Sequence, residues 1–227
     1  MAVKFFILGL PGSGKSTVAR EIAEYVDKMG RKSTRINDYP ILEQMFHDDA
    51  ERKQFKPADR GGFDIIDLTV FDTALKMLEK AAQQYILPTI PEGIILIEFA
   101  RNDYQKAFQQ FNQDFLQDAY FLYLDAEIET CKWRIRDRVN NPAFEDDYNV
   151  SDYIFETYYH EDDGKDLPDF LEREHRIDKQ RISIIDNNCS LEAASKKIDQ
   201  FIDTFIDSES ACASMPAQVE KLLVGMQ

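Results

Sequence analysis

Nine consecutive residues carry the clearest chemistry in the chain. Gly9-Leu10-Pro11-Gly12-Ser13-Gly14-Lys15-Ser16-Thr17 fits the pattern G-x-x-x-x-G-K-[ST]. Glycines at 9, 12 and 14 let the backbone turn successive N–H groups inward, which makes a nest for an anion. A helix starting directly after the loop adds the positive end of its dipole. Lys15 supplies a mobile cation for the β- and γ-phosphates of a nucleotide. Ser16 offers a hydroxyl to a magnesium ion, and Thr17 can touch a phosphate. Pro11 and Ser13 complete the cradle. A second site for chemistry is Glu98, a carboxylate that ends the apolar run Ile94-Ile95-Leu96-Ile97. From a strand end it can hold metal-bound water beside Ser16; a solvent-facing charge or a salt bridge to Arg101 is the plainer reading.

Such residues meet only if the chain places them together, and its periodicity says how. Residues 3–8, 32–37, 94–97, 119–125 and 182–185 read as strands. Helical spacing recurs over 17–29, 65–85, 104–116, 128–139 and 191–205, with a helix and loop expected over 41–60. Gly61-Gly62 reads as a break before the helix that follows, and 208–227 as a linker with a short helix after Pro216. Alternating strands and helices predict a parallel sheet covered on both faces. Ligands in such sheets bind beyond the C-terminal strand ends, here Gly9, Asn37-Asp38, Glu98-Phe99 and Asp125.

Composition narrows the partners. Of 227 residues, 44% are apolar, enough for a real core. The net charge of −15 is lopsided: residues 1–113 hold 15 basic and 16 acidic side chains, and 114–227 hold 12 and 26. An acidic chain is a poor general nucleic-acid binder and a poor match to an anionic membrane, so DNA, RNA and membrane partners are not expected. Three scattered cysteines, with no CxxC pair, suit a reducing, cytoplasmic setting rather than a disulfide or zinc scaffold. The ten acids between Glu145 and Asp169 read as a solvated face, or as a recognition element for a cationic acceptor or second metal. His160 and His175 read as surface residues, and Trp133 and Ile135 as core. Nothing in the sequence fixes an oligomeric state.

The loop spelling resembles the P-loop kinases of small molecules and nucleotides, a group that includes adenylate kinase, adenylylsulfate kinase and gluconate kinase. Three further places are similar: Gly30 to Tyr39, the strand Ile94 to Arg101, and Phe121–Asp125 followed by Glu129 to Arg138. The resemblance implies a three-layer α/β/α P-loop NTPase fold with a five-stranded parallel sheet. It implies a kinase-like domain over 1–207, an acceptor-binding insertion over about 39–72 and a helical lid over about 134–172. It implies Mg2+ and ATP as cofactors, with Ser16 and Glu98 at the metal. Asp38 would serve the acceptor hydroxyl as base or orienter, its plainer reading being a helix N-cap. Arg60, Phe63 and Arg101 would meet the acceptor. Arg134 and Arg138 would flank ATP; their i,i+4 spacing puts both on one helix face, where they could equally pair with Glu129 or Asp137. The implied activity is transfer of the γ-phosphoryl of Mg-ATP to a small acceptor, a nucleotide or nucleoside by analogy. The alternatives are an ATP-binding regulator acting through a protein partner, and a kinase acting on an RNA end or a charged tRNA.

Overall fold

The computed structural model describes residues 3–59, 61–86, 93–188, 196–198 and 200–202. Five strands, β1 (Val3–Leu8), β2 (Ser33–Asn37), β5 (Ile94–Glu98), β6 (Tyr120–Asp125) and β7 (Ile182–Asp186), form one sheet in the order β2-β5-β1-β6-β7. All four pairings are parallel. The central β1 carries Gly9 at its C-terminal end, with the ends of β5 and β6 on either side. A parallel sheet with its faces covered needs strands apolar on both sides, and β1, β5 and β6 are buried nearly throughout.

Alternate residues of these strands feed two cores, as the period of two requires. On one face Phe6, Leu8, Ile95, Ile97, Phe121 and Tyr123 pack with α3 (Thr69–Ile86), α4 (Tyr104–Phe108), α5 (Gln113–Leu116) and α8 (Leu167–His175). On the other, Phe5, Ile7, Leu96 and Leu122 pack with Val18, Ala19, Ile22 and Val26 of α1 (Lys15–Lys28). Ile198, Phe201 and Ile202 join that second core; 196–198 and 200–202 are helical, while the rest of the closing helix and the tail 208–227 lie outside the described residues. A third cluster lies beyond the strand ends and forms the floor of the site. It gathers α2 (Tyr39–Asp48), the start of α3, α6 (Ile128–Asn140), α7 (Asp152–Thr157) and the antiparallel hairpin β3 (Phe55–Pro57) and β4 (Phe63–Ile65).

Four expectations need correction. Gly61-Gly62 is the turn of that hairpin, not a hinge before a helix. Both glycines have positive φ, 85° and 77°, and Ala58 N–H donates to the Gly62 carbonyl at 3.3 Å. The helix expected from residue 65 starts at Thr69, where the Asp67 carboxylate accepts from the Thr69 N–H at 3.0 Å and its hydroxyl at 2.8 Å. The single helix expected over 104–116 is two helices. Between them the backbone N–H of Asn112 donates to buried Glu79 of α3 at 2.9 Å and its side-chain amide bonds the same carboxylate, an alternative partner that interrupts the helical ladder. Lastly, His175 is buried and Trp133 exposed, the reverse of expectation. His175 Nδ1 lies 2.8 Å from Gln113 Oε1. Cys131 and Ile135 face the core from α6, which leaves Trp133 on the opposite side, 64% exposed; Ile135 is core as expected.

Candidate active site

The phosphate loop begins where β1 ends and runs into α1. Gly14, with φ 101°, occupies the N-cap position of that helix. A Cβ there would stand 2.6 Å from Asn187 Nδ2, and one on Gly12 would stand 2.5 Å from the Cys131 carbonyl. Glycine is therefore required at both positions by close approach as well as by backbone angle. Three distant groups pin the loop. The Tyr104 hydroxyl accepts from Gly9 N–H at 2.7 Å, Asn187 Nδ2 donates to the Ser13 carbonyl at 2.6 Å, and the α6 backbone at Cys131 abuts Gly12. Tyr104 is itself fixed because Asp163 Oδ1 accepts from its backbone N–H at 2.6 Å.

Lys15 folds over the loop, donating from Nζ to the carbonyls of Gly9 and Leu10, each at 2.8 Å. Burial pushes its ammonium down to about 8, with Glu98 the largest opposing charge. Ser16 Oγ donates to Glu98 Oε2 at 3.4 Å. A hydroxyl and a strand-end carboxylate beside a phosphate nest are the oxygen donors a magnesium ion takes, so the residues present fit that ion. Glu98, 2% exposed, also pairs with Arg35 of β2. Thr17 is exposed on the cavity wall.

A cavity of about 440 Å³ extends from this loop past Asp38. Asp38 occupies the N-cap position of α2 but makes no side-chain capping bond; Asn37 Oδ1 accepts from the Tyr39 N–H instead, at 3.1 Å. Asp38 is instead held by Arg101, whose Nη1 donates to Oδ2 at 2.6 Å. Arg101 is 2% exposed, donates to the Ala100 and Phe71 carbonyls, and lies 4.4 Å from the Phe71 ring centre. Burial lowers its proton affinity, yet the charge of Asp38 leads the effects that hold it above the ordinary arginine value. The structure thus places Arg101 behind Asp38 rather than on the cavity wall. Phe63 does line the cavity, next to Tyr39 at 5.3 Å between ring centres, and Tyr39 in turn stacks on Tyr148 at 3.6 Å. Arg60 lies outside the described residues.

Arg134 and Arg138 both line the cavity. They are tied to backbone carbonyls rather than to Glu129 or Asp137: Arg134 Nη2 to Asn187 at 2.9 Å, and Arg138 Nη2 to Tyr148 at 2.7 Å. The buried Nη1 of Arg134 has no partner among the described residues. Of the acidic run, Asp146 pairs with Arg20 and Arg35, Asp162 accepts from the Tyr123 hydroxyl at 2.6 Å, and Asp163 holds α4. Asp146, Asp147, Asp162 and Asp163 of that run are thus drawn into internal bonds, while Glu145, Asp152, Glu156, Glu161, Asp166 and Asp169 are exposed, as a solvated face requires. Among the described residues no group of three His, Cys, Asp or Glu side chains is placed to hold a metal. None of the helices searched is long and apolar enough to cross a membrane.

Sequence reasoning did not single out Arg20, Arg35, Tyr104, Asp146, Tyr148 or Asn187. Only Asn187 had a usable signal, as part of Asp186-Asn187-Asn188 at a strand end.

No curated protein matches this sequence. Among solved structures, Kti12 from Chaetomium thermophilum in complex with ADP-AlF3 superposes with a TM-score of 0.54 at 15% identity, over 88% of this chain and 98% of that one. A gluconokinase from Sinorhizobium meliloti gives 0.51 at 12% identity, over 94% and 98%. Both likenesses are of fold. A family model described as an AAA domain matches residues 6–147 and so spans the loop, Asp38, Glu98, Arg101 and both α6 arginines. With the sheet ordered 2-5-1-6-7 around the loop and that model matching more than half of its length, the chain belongs to this AAA-domain family.

Proposed function

We propose that the chain is an ATP-dependent phosphotransferase that moves the γ-phosphoryl of Mg-ATP to the hydroxyl of a small, ring-bearing acceptor such as a nucleoside or nucleotide. One observation carries this reading. A single cavity is lined by the phosphate loop, Ser16 and Glu98 and also by Asp38, whose carboxylate is held by Arg101 and whose backbone N–H donates to the Glu98 carbonyl at 3.3 Å. A binding module or a switch has no need of a second carboxylate fixed beside the phosphate loop by a buried arginine. The Kti12 structure was captured with ADP-AlF3, which supports the same loop as the nucleotide site here.

The chemistry is positioning and charge neutralisation. Lys15 leaves its two backbone carbonyls for the donor phosphates, joined there by the loop amides. Ser16 and Glu98 would hold the magnesium ion, which when bound neutralises phosphate charge. Asp38 accepts a hydrogen bond from the acceptor hydroxyl and orients it. As the bond from that oxygen to phosphorus forms and the bond to the leaving oxygen of ADP breaks, Asp38 receives the proton. Arg101 acts through Asp38 as a positioning residue. Arg134 and Arg138 reach the donor from α6, and residues 143–149 cover the cavity against water. The acceptor end is walled by Tyr39, Phe63, Phe71, Tyr148 and Tyr159, a surface suited to stacking a planar ring.

The test is ADP formation from Mg-ATP, alone and with nucleosides, nucleoside monophosphates, sugars and small hydroxy acids. Stimulation by one ring-bearing acceptor, with its phosphorylated product seen by mass, is the expected result. Slow turnover that no acceptor changes would contradict the kinase reading and favour a regulatory NTPase.

A further inference from the structure

Four alternating charges line the cavity. Arg20 Nη1 donates to both carboxylate oxygens of Asp146, at 3.1 and 3.2 Å. Arg35 Nη1 reaches Asp146 Oδ2 at 2.6 Å from the other side. The remaining edge of the Arg35 guanidinium, Nε and Nη2, is turned onto Glu98. Arg35 Nη2 lies 3.3 Å from Glu98 Oε2, the same oxygen that accepts from Ser16 Oγ at 3.4 Å. Arg35 thus bridges two carboxylates, one on the sheet and one on the segment 143–149, which lines the same cavity as the phosphate loop.

Glu98 is buried, and an ionised carboxylate taken out of water needs a counter-charge. In the arrangement described, Arg35 supplies it. A divalent cation held at Ser16 and Glu98 would compete with the guanidinium for that carboxylate, because like charges at such a separation repel strongly in a partly dehydrated site. Asp146 offers Arg35 a second carboxylate within reach, so it can leave Glu98 without becoming an unpaired buried cation. Burial works against the charged form of Asp146, but the hydrogen bonds and charges of Arg35 and Arg20 hold its carboxyl below the ordinary range, so it remains a competent anion at neutral pH.

We infer that Arg35 is a placeholder for the metal: it neutralises Glu98 when no metal–nucleotide is bound, and moves wholly onto Asp146 when one arrives. Arg35 then has its Nε and Nη2 free to donate to phosphate oxygens. It carries the change to residues 143–149, which also lie under Tyr39 through Tyr148 and on Arg138 through the Tyr148 carbonyl. Arg35 is therefore a positioning residue that makes metal occupancy legible to the cover of the cavity. This inference rests on the nucleotide-site reading of the phosphate loop.

The experiment uses the full chain and ADP as probe, with ADP affinity measured calorimetrically across a series of magnesium concentrations. In Arg35→Gln, Glu98 has no cation to give up, so the magnesium concentration that half-restores tight ADP binding falls by about fivefold. In Asp146→Asn, Arg35 leans wholly on Glu98, so that concentration rises. Damage to the fold would weaken both variants in the same direction; opposite shifts are the signature. Equal shifts, or none in Arg35→Gln, overturn the inference. A second measurement needs no variant. In the unaltered protein, hydrogen exchange over 143–149 is expected to differ between ADP alone and ADP with magnesium, and identical exchange overturns the inference even if Arg35→Gln fails to fold. Should the unaltered protein bind no ADP at all, the nucleotide-site reading falls and takes this one with it. Normal ADP binding without the shifts removes this one alone.

Discussion

The two ends of the cavity are built on different principles. The end proposed for the phosphate donor is made of backbone: nine consecutive residues, 9–17, with glycines where a Cβ would strike Asn187 or the Cys131 carbonyl. The end proposed for the acceptor is made of side chains from separate segments: Asp38 after β2, Phe63 in a hairpin, Phe71 in α3, Tyr148 beyond α6, and Arg101 behind them. A backbone site tolerates little change and is spelled contiguously. A side-chain site can change its ligand while the sheet beneath stays the same, which is how one fold serves many acceptors.

If that contrast is right, damage at the donor end abolishes binding and damage at the acceptor end abolishes only transfer. The largest expected effect is Lys15→Ala. Turnover should drop by about 10³-fold with nucleotide affinity lost, as for other groups that neutralise transferring phosphates. The melting temperature should hold, since Lys15 bonds only loop carbonyls. Full nucleotide binding by this variant would break the comparison at its donor end.

Asp38→Asn comes next. ADP titration should give an unchanged affinity while transfer drops by about 10²-fold. It should also cost stability, because buried Arg101 loses the charge opposite it. A large loss of ADP affinity would show that the two ends are not separable.

The smallest effect is in pH. Burial depresses Lys15 to about 8 from an ordinary value of 10.5. The unfolded chain therefore binds more protons than the native one between those values. The contribution of this group to stability rises with pH across that window and is constant below it. Nucleotide binding runs the opposite way. As pH rises through about 8 the free site loses its cation, so ADP affinity should weaken by up to about tenfold per pH unit, with proton uptake on binding. Titration in buffers of different ionisation enthalpy measures that uptake. Its absence in Lys15→Ala, at whatever affinity remains, would assign it to this residue.

The sheet was legible because its strands are short apolar runs in a regular alternation with helices, and all five stand within a residue or so of where periodicity puts them. The phosphate loop was legible because its geometry demands glycine at fixed spacing. The hairpin was not: strands of three residues are too short to show alternation, and Gly61-Gly62 reads equally as a hinge. The break at Asn112 depends on Glu79, 33 residues away, and no local pattern encodes it. Asp38 could be singled out by its place after β2, but not its partner. The spacing between Asp38 and Arg101 is set by a parallel crossover, which fixes no sequence distance. Arg35 and Asp146 were hidden for the same reason, each looking like one more surface charge until the fold set them against Glu98.

The hydrogen bond from Asn187 to the Ser13 carbonyl joins groups 174 positions apart. During synthesis the loop emerges among the first residues, but this partner arrives only after β7 has been made. The most local motif in the chain is therefore finished by one of its most distant contacts, and loop closure over that span is slow compared with forming a helix. A nascent chain displays the phosphate-loop sequence long before it can hold the loop in its final shape. Completion of the loop by this contact is thereby timed to the docking of β7, the last strand among the described residues.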